Sequence, residues 1–267
     1  MRFDLFVSDY DKTLGDAPDY ISEENIKAIK EYTERGGTFV ICTGRMFSSI
    51  RQICLKYGLK GIVVSYQGAK INDIETGKSL FEGGIDYNLA IEVVKQLLKE
   101  GIDIVLGYGD DIVYQKDSLY VQGYLKAIQN KGKKVDGLVD FILDKKTEVN
   151  KVCAVAEPED IERLTEKYSK ILGDKFICNN GASMLLEVIN AKYSKKFAVE
   201  YLSKYYNIPF EKIIAVGDST NDLPLLGGPW HKVAVGDADK RLKAIADEIT
   251  VEFKDNPVSY LLKKYCL

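Results

Sequence analysis

Apolar and polar positions fall into short blocks along this chain, and the blocks change character twice. Leu5-Phe6-Val7 is apolar without a helical period and reads as a buried strand. Ser22 before Glu23 and Glu24 is a helix start with acids in its first turn. Ile26, Ala28 and Ile29 supply that helix's apolar side, and Gly36-Gly37 stop it. Thr38 to Cys42 is a second strand. The next helix carries Ile50, Ile53, Cys54 and Tyr57 on one face and closes at Gly58, and Gly61 to Tyr66 is a third strand. Strand, helix, strand, helix, strand predicts a parallel α/β sheet.

From about residue 70 the rhythm changes. The pattern predicts a hairpin around Thr76-Gly77, a helix over 87–100, strands over 103–108 and 111–115, and a helix over 118–130. The polar stretch 131–137 fits no element. A strand over 150–156, a helix over 158–170 and strands over 175–178 and 183–188 follow. Mixed hairpins and helices predict an α+β module inserted into the first sheet. The parallel pattern then resumes, with a helix over 194–206, a strand over 212–216, a helix over 239–246 and a last helix ending near Lys264. The expected organisation is a core of 1–82 and 188–267 with an inserted domain over 83–187.

A chain of 267 residues with 46% hydrophobic and 29% charged positions carries a full core. Its net charge of −3 gives no general attraction to nucleic acid or to an anionic membrane. Phosphate binding, if present, must come from a local site. The five cysteines, Cys42, Cys54, Cys153, Cys178 and Cys266, are scattered and read as reduced thiols, not as a disulfide framework or a zinc site. The chain opens directly on a strand and no stretch is long enough to span a bilayer, so a cytoplasmic monomer or homodimer is expected.

The candidate chemistry sits where apolar strands end. In open parallel sheets, ligands lie beyond the carboxyl ends of the strands. Asp9 and Asp11 fall there, and two carboxylates this close need a cation or a proton to relieve their repulsion. Three more polar clusters follow three more apolar stretches: Thr43-Gly44-Arg45, Ser194-Lys195-Lys196 and Gly217-Asp218-Ser219-Thr220-Asn221-Asp222. Together they offer what phosphoryl transfer needs. Asp9 can attack phosphorus, and Asp11 can protonate the leaving oxygen and then activate water. Thr43 and the Gly44 N–H can hold phosphate oxygens, a lysine near 195 can offset charge, and Asp218 can complete an all-oxygen shell for Mg²⁺. Each piece alone has a plainer reading: a turn aspartate, a hydroxyl capping the next helix, a solvated helix lysine. His231, the lone histidine, reads as a surface or loop residue, and Trp230 as packing.

In combination these motifs resemble the haloacid dehalogenase superfamily, and most of all its Cof-type sugar-phosphate phosphatases; Ala234-Val235-Gly236-Asp237-Ala238 fits a later segment of the same pattern. The resemblance implies a Rossmann-like parallel-sheet core with an inserted α+β cap that closes over the site and chooses the leaving group. It implies Asp9 as nucleophile and Asp11 as general acid/base. Thr43, Gly44, Lys195 and Asn221 would bind substrate, and Asp9, the Asp11 carbonyl and Asp218 would bind Mg²⁺, with Asp222 beside or on the metal. Lys195 is preferred to Lys196 because Ser194-Lys195-x-x-Ala198 fits the pattern. Two departures stand out: Lys12 where the family usually has glycine, and Gln67-Gly68-Ala69 where it often has Asn-Gly-Ala. The expected activity is Mg²⁺-dependent hydrolysis of a small phosphorylated metabolite, sugar phosphates first. A phosphomutase or an idle sensor of a phosphorylated ligand are the alternatives.

Overall fold

The computed structural model describes residues 1–16, 19–182 and 184–267. It divides into two compact units, Met1–Glu82 with Ser194–Leu267, and Gly83–Tyr193.

The first segment runs β1 (Leu5–Ser8), β2 (Gly15–Asp16), β3 (Tyr20–Ile21), α1 (Glu23–Glu34), β4 (Thr38–Cys42), α2 (Phe47–Tyr57), β5 (Ile62–Ser65), β6 (Lys70–Asp73) and β7 (Ser79–Glu82). The caps are the ones the side chains dictate. Ser22 Oγ accepts the Asn25 N–H at 3.2 Å to open α1. Gly58, at φ 63°, takes the left-handed conformation that ends α2. The β2–β3 pair is too short to leave a periodic trace in the sequence.

The second unit holds α3 (Tyr87–Lys99), β8 (Asp103–Tyr108), β9 (Asp111–Tyr114), α4 (Leu119–Ala127), β10 (Lys133–Lys134), α5 (Leu138–Lys145), β11 (Lys151–Val155), α6 (Pro158–Leu172), β12 (Phe176–Ala182) and β13 (Leu185–Asn190). Its sheet order is β10-β9-β8-β11-β13-β12. Val152, Ala154, Leu106, Leu186 and Val188 alternate onto one face and are buried with apolar residues of α3, α5 and α6. Lys151 and Glu187 alternate onto the other face, where they form a buried ion pair. The polar stretch that fits no predicted element contains β10. The helix α5 is also unannounced, because its eight residues make little more than two turns. Ser183, where the predicted strand 183–188 begins, lies outside the described residues.

The chain returns to the first unit with α7 (Lys195–Tyr206), β14 (Ile213–Gly217), β15 (His231–Ala234), α8 (Lys240–Ile245), β16 (Glu248–Ile249) and α9 (Pro257–Tyr265). The sheet order is β16-β15-β14-β1-β4-β5-β6-β7. β1 lies between β14 and β4, parallel to both, with Leu5 opposite Ile213 on one side and Thr38 on the other. β6 and β7 then extend the sheet antiparallel. The change of rhythm at residue 70 therefore marks a reversal of strand direction, and the Thr76-Gly77 hairpin belongs to this sheet. Leu5, Phe6 and Val7 are wholly buried, as expected of a parallel strand covered on both faces. Each such side chain contributes about 1.5–3 kcal/mol on burial.

Trp230 is buried and its indole N–H donates to the Leu225 carbonyl at 2.9 Å. His231 differs from its sequence reading: it lies within β15, half-buried, stacked on Phe3 at 5.4 Å. All five cysteines are free. No helix among the described residues is long and apolar enough to cross a membrane.

Candidate active site

The carboxyl ends of β1, β4 and β14 and the start of α7 bring the predicted residues together. Asp9 follows β1 directly, and its backbone N–H continues the ladder to the Val216 carbonyl at 2.9 Å. Ser194 Oγ accepts the Phe197 N–H at 3.3 Å, so α7 begins with Lys195 as its first residue. From there Lys195 reaches inward. Its Nζ donates to Asp9 Oδ1 and to Asp222 Oδ1, each at 2.6 Å, and the lysine is fully buried. Lys196 instead faces Glu200 at 3.8 Å on the outer side of α7. The adjacent lysines thus have different partners, one buried and one on the surface.

At the end of β14, where the chain turns, Gly217 leaves room for Asp222. A Cβ there would stand 2.6 Å from Asp222 Cγ. The Asp222 carboxylate folds back beneath that turn, its Oδ2 accepting the N–H groups of Asp218 at 3.1 Å and Ser219 at 3.2 Å. Asn221 Oδ1 accepts the Ser219 hydroxyl at 2.6 Å. Asp218 Oδ1 accepts from Thr13, whose hydroxyl lies at 3.1 Å and whose side chain is buried. Thr13 is the fifth residue of the Asp9 motif, and this contact, 205 positions away, leaves no mark in the sequence.

Asp9, Asp218 and Asp222 bring ligand oxygens within 4.8 Å of one another. They are not equivalent. Both oxygens of Asp222 are already engaged, which leaves Asp9 and Asp218 as the residues that would hold an ion, with Asp222 behind them. An all-oxygen set of this kind fits Mg²⁺ and not a thiophilic metal. The electrostatics agree. Burial, then Asp222, raises the Asp9 pKa well above the ordinary carboxylate value, against the pull of Lys195. Asp218 is pushed up to about 7 by burial first and Asp222 second. Burial alone would lower Lys195, but Asp222 and Asp9 outweigh it and hold the ammonium charged.

A stability consequence follows from the sign of the Asp218 shift. Its folded-state value of about 7 lies above the ordinary 3.8, so its contribution is complete below about pH 4 and is lost as pH rises through 7. Without divalent metal, the protein is expected to be more stable at pH 5 than at pH 8, by on the order of 2 kcal/mol. Millimolar Mg²⁺ should raise the melting temperature more at pH 8 than at pH 5. Scanning calorimetry with Mg²⁺ or with chelator checks both, and a metal-free protein more stable at pH 8 would contradict the assignment.

Thr43 is buried beyond β4. Its N–H donates to the Val64 carbonyl at 2.8 Å, and its Oγ accepts the Arg45 N–H at 3.1 Å, so its hydroxyl proton stays available to an anion. Gly44 has a close neighbour: a Cβ there would lie 2.5 Å from Gln67 Nε2, so the Gln67 amide would have to move. Gln67, at φ 60°, donates its backbone N–H to the Thr43 carbonyl at 2.9 Å. Its buried side-chain Oε1 has no hydrogen-bond partner among the described residues. Gly68 packs against α7, where a Cβ would come within 2.2 Å of the Ser194 carbonyl oxygen. The Gln67-Gly68-Ala69 loop therefore touches both the Thr43 turn and the helix that carries Lys195. Lys12 sits at φ 63°, a conformation that favours glycine.

Asp11 behaves differently from Asp9. Its carboxylate is not one of the three in the acidic group, and both its oxygens accept from Arg45, Nε to Oδ2 at 3.0 Å and Nη2 to Oδ1 at 2.6 Å. Nothing in the Thr43-Gly44-Arg45 motif announces this contact.

A family model described as haloacid dehalogenase-like hydrolase matches residues 6–262. A Bacillus subtilis protein named 5-amino-6-(5-phospho-D-ribitylamino)uracil phosphatase YitU is 26% identical over 272 residues, covering 98% of this chain and 97% of its own. A chloroplastic endoribonuclease YBEY from Arabidopsis thaliana is 26% identical over 274 residues and covers 99% of this chain, which spans only 47% of that protein's length. Among solved structures, a HAD/COF-like hydrolase from Plasmodium vivax superposes with a TM-score of 0.86 at 26% identity, covering 98% of this chain and 95% of that one. A match over almost every residue, with relatives named phosphatases along their whole length, leaves one assignment: the chain belongs to the haloacid dehalogenase-like hydrolase family, in its Cof-type branch, and is a phosphoric monoester hydrolase.

Proposed function

We propose that the protein hydrolyses a small phosphorylated metabolite, a sugar phosphate in the first instance, with Mg²⁺ and through an aspartyl-phosphate on Asp9. The observation that carries this reading is the buried Lys195 shared between Asp9 and Asp222, with Asp218 beside them at the sheet's carboxyl edge. A carboxylate buried among two others is a poor nucleophile unless its charge is supported. Lys195 supports one oxygen of Asp9 and fixes its orientation, leaving the second oxygen for phosphorus. Mg²⁺ held by Asp9 and Asp218 would supply the remaining positive charge against the nucleophile and the phosphoryl dianion.

In the first half-reaction an Asp9 oxygen bonds to phosphorus as the bond to the leaving oxygen breaks, and Asp11 gives that oxygen a proton. In the second, water attacks phosphorus, its proton passes to Asp11, and the Asp9–phosphorus bond breaks to release inorganic phosphate. The Thr43 hydroxyl and the Gly44 N–H serve the phosphoryl oxygens, and Asn221 stands nearby as a further polar contact. The Gly83–Tyr193 unit is the part of the chain to which this reading assigns substrate choice.

The compound in one relative's name carries its phosphate on a ribityl chain, so a test panel includes polyol phosphates beside hexose and pentose phosphates. Phosphate release from at least one of them is expected with Mg²⁺ and not with chelator. Isomerised sugar phosphate exceeding free phosphate would replace hydrolysis with a mutase reaction, and binding without turnover would make the protein a sensor.

A further inference from the structure

We infer that Arg45 is the positioning residue for Asp11, holding the general acid/base in place from the neighbouring strand end. The inference rests on the phosphatase reading above. Asp11 needs such a partner. Its side chain is 48% exposed, and an exposed aspartate on a loop samples several rotamers, whereas acid/base catalysis demands one position. The two N–H groups that Arg45 offers, Nε and Nη2, lie in one plane and engage both carboxylate oxygens, the fork-to-fork arrangement that lysine lacks.

Arg45 is itself fixed on every side. Its guanidinium lies 4.8 Å from the centroid of the buried Tyr10 ring, between Asp9 and Asp11 in sequence. Nη1 reaches Asp19 at 3.4 Å. The backbone N–H donates to Thr43 Oγ and the carbonyl accepts the Tyr66 N–H at 3.2 Å. The position of Asp11 is thereby tied to the turn that carries Thr43, so acid/base and phosphate-binding groups keep one spacing. Two other uses of Arg45 fit less well. The N–H groups on the Asp11 side are already taken, which argues against a direct grip on the substrate phosphate. A partly exposed ion pair adds little to stability, so the fold does not need it.

The test is a double-mutant cycle on the best substrate of the panel, with kcat and KM measured for Arg45→Met, Arg45→Lys, Asp11→Asn and their combinations. Arg45→Met is expected to lower kcat about 10- to 100-fold, part of the value of a general acid/base, with KM changed less than about 3-fold. Arg45→Lys should recover part of the loss. In the Asp11→Asn background, adding Arg45→Met should cost less than about 3-fold, because the arginine then has nothing to position. Raised KM with kcat kept, or losses that multiply in the double mutant, would overturn the inference and make Arg45 a substrate ligand. If Arg45→Met does not fold, the same cycle with Arg45→Lys decides. A wild type silent on every phosphate ester would overturn the phosphatase reading and this role together, whereas an active wild type indifferent to Arg45 overturns this role alone.

Discussion

Asp9→Asn is expected to abolish phosphate release while leaving the fold standing. The amide cannot form the acyl phosphate, and loss of a covalent nucleophile typically lowers kcat by about 10⁴-fold or more. The fold survives because asparagine keeps an oxygen where Asp9 Oδ1 accepts from Lys195, and because one negative charge leaves a crowded group. The variant should melt within a few degrees of the wild type, as about 1 kcal/mol corresponds to roughly 2–4 °C in a chain of this size. Phosphate release by Asp9→Asn above one hundredth of the wild-type rate would remove Asp9 from the nucleophile's position.

Lys195→Met carries the largest expected effect on stability. It leaves Asp9 and Asp222 buried against each other without the ammonium that both accept from. Removing one partner from a buried ion pair costs about 3–5 kcal/mol. The melting temperature should fall by roughly 10 °C, and the deficit should shrink at low pH, where the orphaned carboxylates can take up protons. Lys196→Met is the control. That lysine pairs with Glu200 on the surface at 3.8 Å, and its loss should change stability by less than about 0.5 kcal/mol. Equal losses for the two variants, measured by urea unfolding at pH 8, would refute the assignment of Lys195.

What could be read without coordinates followed strict local rules. Leu5-Phe6-Val7 could only be a short buried strand, and the Asp-x-Asp beyond it had to lie at the sheet's carboxyl edge. Ser22 and Gly58 announced helix ends because capping depends on one residue's chemistry. The misses share a different cause. The Arg45 contact with Asp11 spans 34 positions and depends on side-chain direction, which no period encodes. Gln67 looked like a departure from a motif, and only the fold shows its amide lying where Gly44 lacks a side chain. The helix α5 is only eight residues long, too short for its period to stand out in the sequence. His231 looked like a loop residue because one histidine beside one tryptophan carries no strand period.

The neighbours of β1 have a consequence for how the protein is made. Its partner β4 emerges from the ribosome soon after it, but β14 follows about 170 residues later. At about 5–20 residues per second, the β14 side of β1 stays bare for roughly ten to forty seconds of translation. That bare edge belongs to a wholly buried, largely apolar strand, the kind that mispairs with other nascent chains. The pace at which the ribosome crosses the second unit therefore bears on the yield of active enzyme, although Asp9, Lys195, Asp218 and Asp222 all lie outside it.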